Sequence, residues 1–469
     1  MAKSVLLDDT IAAISTPIGE SGIGIVRVSG RHAFSIAGKI FSSKSRKPVS
    51  KMRTFTAHHG HIVNNLNGGE IIDEVILTVM RAPKTYTRED IIEINCHSGI
   101  VPLKKILNLV LNSGARLARP GEFTKRAYLN GRIDLVQAEA VLDIIRAKTD
   151  ASMQTALSQL KGELSKKVKA LRAEILKIHS KIEAIIDFSD QDSVDQSSLN
   201  GQGLASDVDK IIERLDGIIA SFEQGQILRE GLKMVICGRP NVGKSSLMNA
   251  FLRRDRVIVT PLPGTTRDSI EESVNIQGLP LRIIDTAGWV SAPDYVSYHS
   301  IKRTTNSVIS ADLVLFLLDG SRPLTNEDKK IFQKIRNKKT IVVINKIDLP
   351  LVLKLDDIIR MTKQEKIIKI SAVKKTGLDL VEKEIANAVW QGGLGSLAPP
   401  LVSNVRHKDI LDRVRQDMAR AKNGITKKTS PEIIAIDLKS ALDNLAEIAG
   451  QTAPQDLLEN IFSQFCIGK

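Results

Sequence analysis

Hydrophobic and polar positions change rhythm along this 469-residue chain, and each change marks a different kind of structure. Near the start, short apolar runs alternate with Gly, Pro and Asn turns. Residues 11–14, 24–28, 71–79 and 91–94 read as strands, and 101–111 as a helix. This pattern predicts an α+β domain over residues 1–130. Then the period lengthens. Leu157, Leu160, Leu164, Val168, Leu171, Ile175, Ile178, Ile182 and Ile185 step by three and four, which predicts one long amphipathic helix. A polar stretch rich in Ser, Asp, Gln and Gly at 187–203 reads as a loop. The helical step resumes at Val208, Ile211, Leu215, Ile218 and Phe222. It returns near the end at 405–421, 433–449 and 457–465. An all-α domain is therefore expected in two parts, 131–229 and 392–469, with a different domain inserted at 230–391. The stretch QGGLGSLAPP serves as the return linker.

The inserted stretch has a third rhythm, apolar runs that each close on reactive or hydrogen-bonding residues. Met234, Val235, Ile236 and Cys237 break at Gly238, and G-x-x-x-x-G-K-S then runs to Ser245 before a helical segment. Strand, glycine-rich loop and helix in that order predict an inserted α/β P-loop GTPase (Ras-like) domain. Its loop residues Asn241, Val242, Gly243, Lys244, Ser245 and Ser246 cradle phosphates through backbone N–H groups and the helix N-terminus. Lys244 reaches the β/γ-phosphates and Ser245 ligates Mg²⁺. Asp285, Thr286, Ala287 and Gly288 close the run Leu281–Ile284; the Asp holds the Mg²⁺ shell and the Gly N–H faces the γ-phosphate. Asn345, Lys346 and Asp348 follow 341–344, and a carboxylate there accepts two hydrogen bonds from guanine that adenine cannot donate. Such a site rejects the wrong base by roughly 10⁴–10⁵. Ser371, Ala372 and Val373 fit the last base-contacting loop.

Composition narrows the class. A net charge of +14 and a pI near 9.5 favour acidic partners, nucleic acid first, while 4% aromatics argues against base-stacking platforms. Cys96, Cys237 and Cys466 lie far apart without a C-x-x-C, which excludes a disulfide framework and suits a reducing, cytoplasmic setting. No secretory leader and no apolar run of membrane-spanning length is expected, so no membrane association is expected either. Arg27 and Glu93 each interrupt an apolar strand. They pair with each other, meet a ligand, or lie on an exposed face. His58, His59 and His61 have no carboxylate or Cys at ligand spacing and read as a solvated loop, and Thr124 reads as the cap of the following helix.

With these parts in view, the chain resembles the MnmE (TrmE) family of tRNA-modification GTPases along essentially its whole length. TPIGESGIGIVRVSG, ARPGEFTKRAYLNGRIDLVQAEAV, GRPNVGKSS, PGTTRD, DTAG, NKID and the terminal FCIGK carry the resemblance. It implies a homodimer formed through the N-terminal domains, which bind 5,10-methylene- or 5-formyl-tetrahydrofolate at Arg27, Glu93, Arg132 and Lys469. It implies an FAD-containing MnmG-type partner, with which a (carboxymethyl)aminomethyl group is placed on carbon 5 of the wobble uridine of tRNA. It also implies that Thr260, Thr265 and Thr266 contact GTP, that Thr266 joins Ser245 on Mg²⁺, and that Asn241, Thr260, Leu262 and Thr265 hold K⁺. Lys244, Thr266, Asp285 and Cys466 are its catalytic positions. The chain departs from the family after DTAG, where a water-orienting Glu is replaced by Ser297. The competing class is a GTPase switch for ribosome assembly, but no KH-type module follows Ala372.

Overall fold

The computed structural model describes residues 9–43, 47–65, 68–187, 201–255, 271–284, 308–389 and 402–469. The first 146 positions form β1 (Ile11–Ile14), β2 (Gly24–Ser29), α1 (Ala33–Ile40), β3 (Phe41–Ser42), β4 (Thr56–Asn64), β5 (Glu70–Met80) and β6 (Ile91–Cys96). They continue through α2 (Ile100–Asn112), β7 (Arg116–Leu117), α3 (Glu122–Leu129) and α4 (Leu135–Arg146). Helices α5 (Asp150–Leu160), α6 (Glu163–Asp187), α7 (Gly201–Ile219) and α8 (Phe222–Glu230) follow. Next come β8 (Leu232–Cys237), α9 (Lys244–Asp255), β9 (Glu271–Ile276), β10 (Leu279–Ile284), β11 (Leu313–Asp319), α10 (Asn326–Ile335) and β12 (Thr340–Asn345). The described order ends with α11 (Leu355–Thr362), β13 (Ile367–Lys369), α12 (Leu378–Val389), α13 (Val405–Lys427), α14 (Pro431–Ile448) and α15 (Gln455–Ser463). The chain divides into two compact units. One comprises residues 1–142, 160–184 and 435–469, the other 143–159 and 185–434.

In the first unit seven strands form a sheet in the order β3-β4-β5-β6-β2-β1-β7, antiparallel except for the β1–β7 edge. Alternation along β5 sends Val75, Leu77 and Val79 inward, where they share one core with Val26, Val28, Ile92 and Ile94 and with Ile36, Leu103 and Ile106 of α1 and α2. Burying side chains such as Leu103 and Ile106 stabilises by roughly 1.5–3 kcal/mol each. The opposite face is covered near β1 by α3, whose Phe123 packs with Ile11 and Ala13. An Arg126 side chain only 1% exposed fastens α3. It donates to Asp9 (2.6 Å), Glu89 (3.1 Å) and Glu122 (3.1 Å), while Arg116 donates to Asp9 and Glu122 from the other side.

The second unit holds a six-stranded sheet in the order β13-β12-β11-β8-β10-β9, parallel except for β9. Every residue of β11 is buried, as expected for a strand covered on both faces. In the same unit α7 packs along α13. Their apolar stripes, Val208, Ile211 and Leu215 against Ile410, Val414 and Met418, are buried, and Arg415 pairs with Asp216 across the seam.

The described fold class matches the expectation of an α+β region, helices and an inserted parallel α/β sheet. Three local readings are corrected. The helix expected to be continuous from Leu157 is broken: Gly162 takes φ +81°, a left-handed helix end that glycine adopts without strain, so α5 stops at Leu160 and α6 starts at Glu163. The apolar step Leu160 to Leu164 crosses this break and hides it. His58, His59 and His61 lie on β4 rather than in a loop, with His58 bonded to Thr56 and His59 to Glu74. Thr124 caps nothing; it is buried inside α3 on the Tyr86 hydroxyl, and Gly121 precedes the helix.

Burial pushes the Asp9 and Glu122 carboxyls up, but hydrogen bonds from Arg116 and Arg126 more than offset it and hold both below their ordinary values. A depressed carboxyl adds stability that is complete above its unfolded pKa and lost as pH falls through the folded one. Arg126→Met strips Glu89 of its guanidinium and leaves Asp9 and Glu122 to Arg116 alone, and is expected to cost about 3–5 kcal/mol. Urea unfolding followed by circular dichroism checks this, and the wild-type advantage over the variant should shrink below about pH 4. An advantage that does not change with pH would exclude the carboxylate account.

Candidate functional site

The nucleotide site lies where the parallel strands of the second unit end, the usual position for ligands in open α/β sheets. Strand β8 delivers the chain to Gly238, which has no room for a side chain: a Cβ there would lie 2.4 Å from the Leu317 carbonyl oxygen. The loop then turns through Asn241 at φ +64° and Gly243 at φ +100°, where a Cβ would meet Asn345 Nδ2 at 2.2 Å. Val242 is buried beneath, while Asn241, Ser245 and Ser246 are exposed at the mouth and the start of α9. Lys244 folds back to donate to the carbonyls of Gly238 (2.9 Å) and Arg239 (2.8 Å), which places its ammonium inside the loop. Below the loop, burial pushes the Cys237 thiol up to about 12, so it is an inert part of the core.

Asn345 joins the glycine-rich loop to the loop at Ala372. Its carboxamide is buried, donates from Nδ2 to the Val242 carbonyl (2.8 Å) and accepts at Oδ1 from the Ala372 N–H (2.9 Å). Lys346 sits at φ +66° and pairs with Asp319 at 2.7 Å. Burial raises the Asp319 carboxyl, and the Lys346 and Ser321 hydrogen bonds reverse that and keep it ionised. Asp348 accepts from the Ser371 hydroxyl at 2.6 Å, and this bond holds its carboxyl below the usual range. Val373 is 76% exposed beside it. The Asp348 carboxylate is thus oriented and charged, with an exposed edge open to further donors.

Two supporting residues escaped the sequence reading. Asp319 acts through Lys346, a contact that no local motif spells out, although it lies at a strand end. Asp328, buried in the capping box of α10, accepts from Arg239 of the phosphate loop at 2.9 Å; only the T-x-x-D spacing hinted at it. Ser371, expected in the last loop of the site, donates to Asp348.

The first unit holds a second cluster on the sheet face not covered by α1 and α2. One row crosses five strands, Ala13, Arg27, Glu93, Thr78 and Ala57 in register. Arg27 and Glu93 pair at 2.8 Å, with each side chain about one-fifth exposed, so the pairing alternative is the one realised. The chain's last residues arrive beside them. The Gly468 carbonyl accepts from Arg27 (3.2 Å) and from Ser15 (3.2 Å), and the Lys469 oxygen accepts from the Phe123 N–H (3.2 Å). Gly468 is at φ +98°, and a Cβ there would lie 2.4 Å from the Ile14 carbonyl oxygen. Cys466 is exposed, one turn before. Arg132 stacks over Tyr86 at 4.6 Å, and Tyr86 packs against the cluster that Phe123 forms with Ile11, Ala13 and Ala118. Arg27, Glu93 and the tail thus meet directly, while Arg132 joins through Tyr86.

Comparison with known proteins adds to this geometry. A family model described as the MnmE helical domain matches residues 135–466, and one described as the GTP-binding protein TrmE N-terminus matches 10–132. The tRNA modification GTPase MnmE of Desulforamulus reducens is 46% identical over 99% of this chain and 100% of its own length. That of Thermoanaerobacter pseudethanolicus is 48% identical over 98% and 99%, and that of Enterococcus faecalis 44% over the full length of both. The chain belongs to the MnmE family. Several positions expected to act in such a protein, Thr260, Leu262, Thr265, Thr266, Asp285, Thr286, Ala287, Gly288 and Ser297, lie outside the described residues.

Base recognition at the nucleotide site is directly testable. Asp348→Asn should weaken GTP binding and admit xanthosine triphosphate, because the amide donates where the carboxylate only accepts. Ser371→Ala removes one orienting hydrogen bond and should weaken GTP by about fivefold, the equivalent of ~1 kcal/mol. A fluorescent-nucleotide titration reads both. Unchanged affinity in Asp348→Asn would remove that residue from the site.

Proposed function

We propose that this chain is a GTP-hydrolysing enzyme of tRNA wobble-uridine modification. In this reading residues 230–391 are its GTPase domain, 1–130 its folate-binding and dimerisation domain, and 131–229 with 392–469 its helical domain. The observation that carries the proposal is the Asn345 bridge between the phosphate loop and the Asp348–Ser371 base site, in a chain that aligns end to end with tRNA-modification GTPases. The backbone of 241–246 and Lys244 hold the triphosphate. Ser245 and Thr266 supply the oxygen ligands that Mg²⁺ takes, and Asp285 orders its shell.

The row on the first sheet suits a folate. A carboxylate beside a guanidinium offers both an acceptor and donors to the polar edge of a pterin, and Arg132 and Lys469 are cations for its acidic tail. The open remainder of that face, where Ile76 is 48% exposed between His59 and Asn95, would receive a second copy of the chain. 5,10-Methylene- or 5-formyl-tetrahydrofolate then supplies the one-carbon unit, and an FAD-dependent MnmG-type protein acts as partner. Among the described residues no helix is long and apolar enough to cross a membrane. The experiment that tests the whole reading is nucleoside analysis of tRNA from a strain lacking this gene. Loss of the carbon-5-modified uridine is expected, and an unchanged nucleoside profile would overturn it.

Two narrower outcomes follow from the site residues. Asn241, exposed in the phosphate loop, would bind K⁺ with Thr260, Leu262 and Thr265, so GTP hydrolysis should run faster in KCl than in NaCl at equal ionic strength. Equal rates would exclude a K⁺ role. Cys466 stands beside the folate row in the first unit, whereas every nucleotide motif belongs to the second. Cys466→Ser should therefore abolish modification while GTP turnover stays within about twofold; loss of both together would assign the tail a structural role.

A further inference from the structure

The basic charge of this chain is not spread evenly over its helices. On α13 the cations are largely spent: Arg415 pairs with Asp216, Lys422 with Asp209, Arg420 with Asp417 and Lys408 with Asp412. Helix α6 differs. Its exposed charges between positions 166 and 181 are Lys166, Lys167, Lys169, Lys177 and Lys181; the span's one acid, Glu174, is half-buried and has an interaction of its own. Lys166 pairs with Glu163 in the first turn, and Glu183 lies 3.3 Å from His179 Nε2 on the flank. Among the described residues no carboxylate lies within ion-pair distance of Lys169, Lys177 or Lys181.

These three lysines share one face. At 3.6 residues per turn, Lys169, Ala173, Lys177 and Lys181 form a single ridge of four-residue steps about 18 Å long. Beside it run Ala170, Ser180 and Ala184, also exposed, so small side chains separate the ammonium groups. Lys177 and Lys181 are an i,i+4 like-charge pair, which destabilises an isolated helix by a few tenths of a kcal/mol. A row of three cations with no ion-pair partner of its own, flanked by half-buried Glu174 and by Leu176 at 45% exposure, suits a polyanion whose backbone lies along the helix and supplies the missing negative charge.

We propose that the Lys169–Lys177–Lys181 ridge of α6 is a docking surface for the tRNA phosphate backbone. The proposal rests on the tRNA-modification reading above and adds where the substrate is held. Contacts of this kind carry affinity without sequence information, through release of counterions from the nucleic acid. Binding through the ridge is therefore steeply salt-dependent, and each lysine removed flattens the dependence by somewhat under one unit in log K against log salt.

The test uses the full-length chain and purified bulk tRNA, with affinity measured by filter binding from 50 to 300 mM KCl. Lys169→Gln, Lys177→Gln and Lys181→Gln are combined in one variant; glutamine keeps helix propensity close to that of lysine, and GTP turnover reports an intact fold. Two comparison variants accompany it: Arg415→Gln with Lys422→Gln, where the cations are already paired, and Lys329→Gln with Lys330→Gln on α10, where exposed lysines follow Glu327 in the same turn. The expected result is that the salt slope falls by about two to three units in the α6 variant alone. Affinity at the lowest salt should fall at least tenfold, and the Lys→Arg triple variant should restore both. An unchanged slope in the α6 variant, or an equal fall in either comparison variant, would overturn the ridge while leaving the tRNA-modification reading intact. Absence of any salt-dependent tRNA binding by the wild-type chain would overturn the ridge, and nucleoside analysis would then decide the wider reading separately.

Discussion

One carboxamide sets the geometry of the nucleotide site. Asn345 holds the Val242 carbonyl on one side and the Ala372 N–H on the other, so the glycine-rich loop and the loop at Ala372, 130 residues apart, are kept in one arrangement. It is buried, and a buried amide left without partners costs about 1–3 kcal/mol; loop positions that break either bond are therefore disfavoured. Gly243 is glycine for the same reason, since any Cβ would occupy the space of the Asn345 amide. Asp348 and Lys346 then follow from where the strand ends, and Ser371 and Asp319 hold their charges in place.

A comparable constraint operates in the first unit through ion pairs. Arg126 ties α3 to Asp9 and Glu89, and α3 in turn presents the Phe123 N–H that receives the chain's last residue. Without α3 in place the tail has no seat, and Arg27 loses the Gly468 carbonyl that fixes its second nitrogen while Glu93 holds the first. The charges are kept ionised by one another, which makes this region sensitive to acid in a way that the apolar core beneath the same sheet is not.

Where the sequence reading went astray, the cause is a signal shorter than the pattern it interrupts. The apolar step of three and four runs unbroken from Leu160 to Leu164, yet Gly162 between them turns left-handed and ends a helix. His58, His59 and His61 carry few apolar neighbours, so no alternation announces β4; the strand forms because β5 supplies a ladder of partners from Glu70 to Val79, broken by one register shift at Ile62/Val63. Thr124 has a capping side chain, but its hydroxyl finds Tyr86 instead. Asp319, a supporting residue of the base site, closes an apolar run like the other motif strands but carries no recognisable motif of its own.

The amino-acid sequence by itself determined the nucleotide chemistry and the order of the folded parts. The motifs expected to recognise phosphate and guanine are short consecutive stretches at strand ends, and consecutive residues are what a sequence displays; periodicity likewise displays buried faces. Only the tertiary structure decided what those stretches lean on. Arg27 and Glu93 are 66 positions apart and Ser15 and Gly468 are 453 apart, and they meet because strand register and the seating of the tail bring them together. The same holds for charge. Composition reported +14 for the whole chain, but whether a given lysine is spent or exposed without a partner depends on which carboxylates the packing of neighbouring helices places within about 4 Å of it.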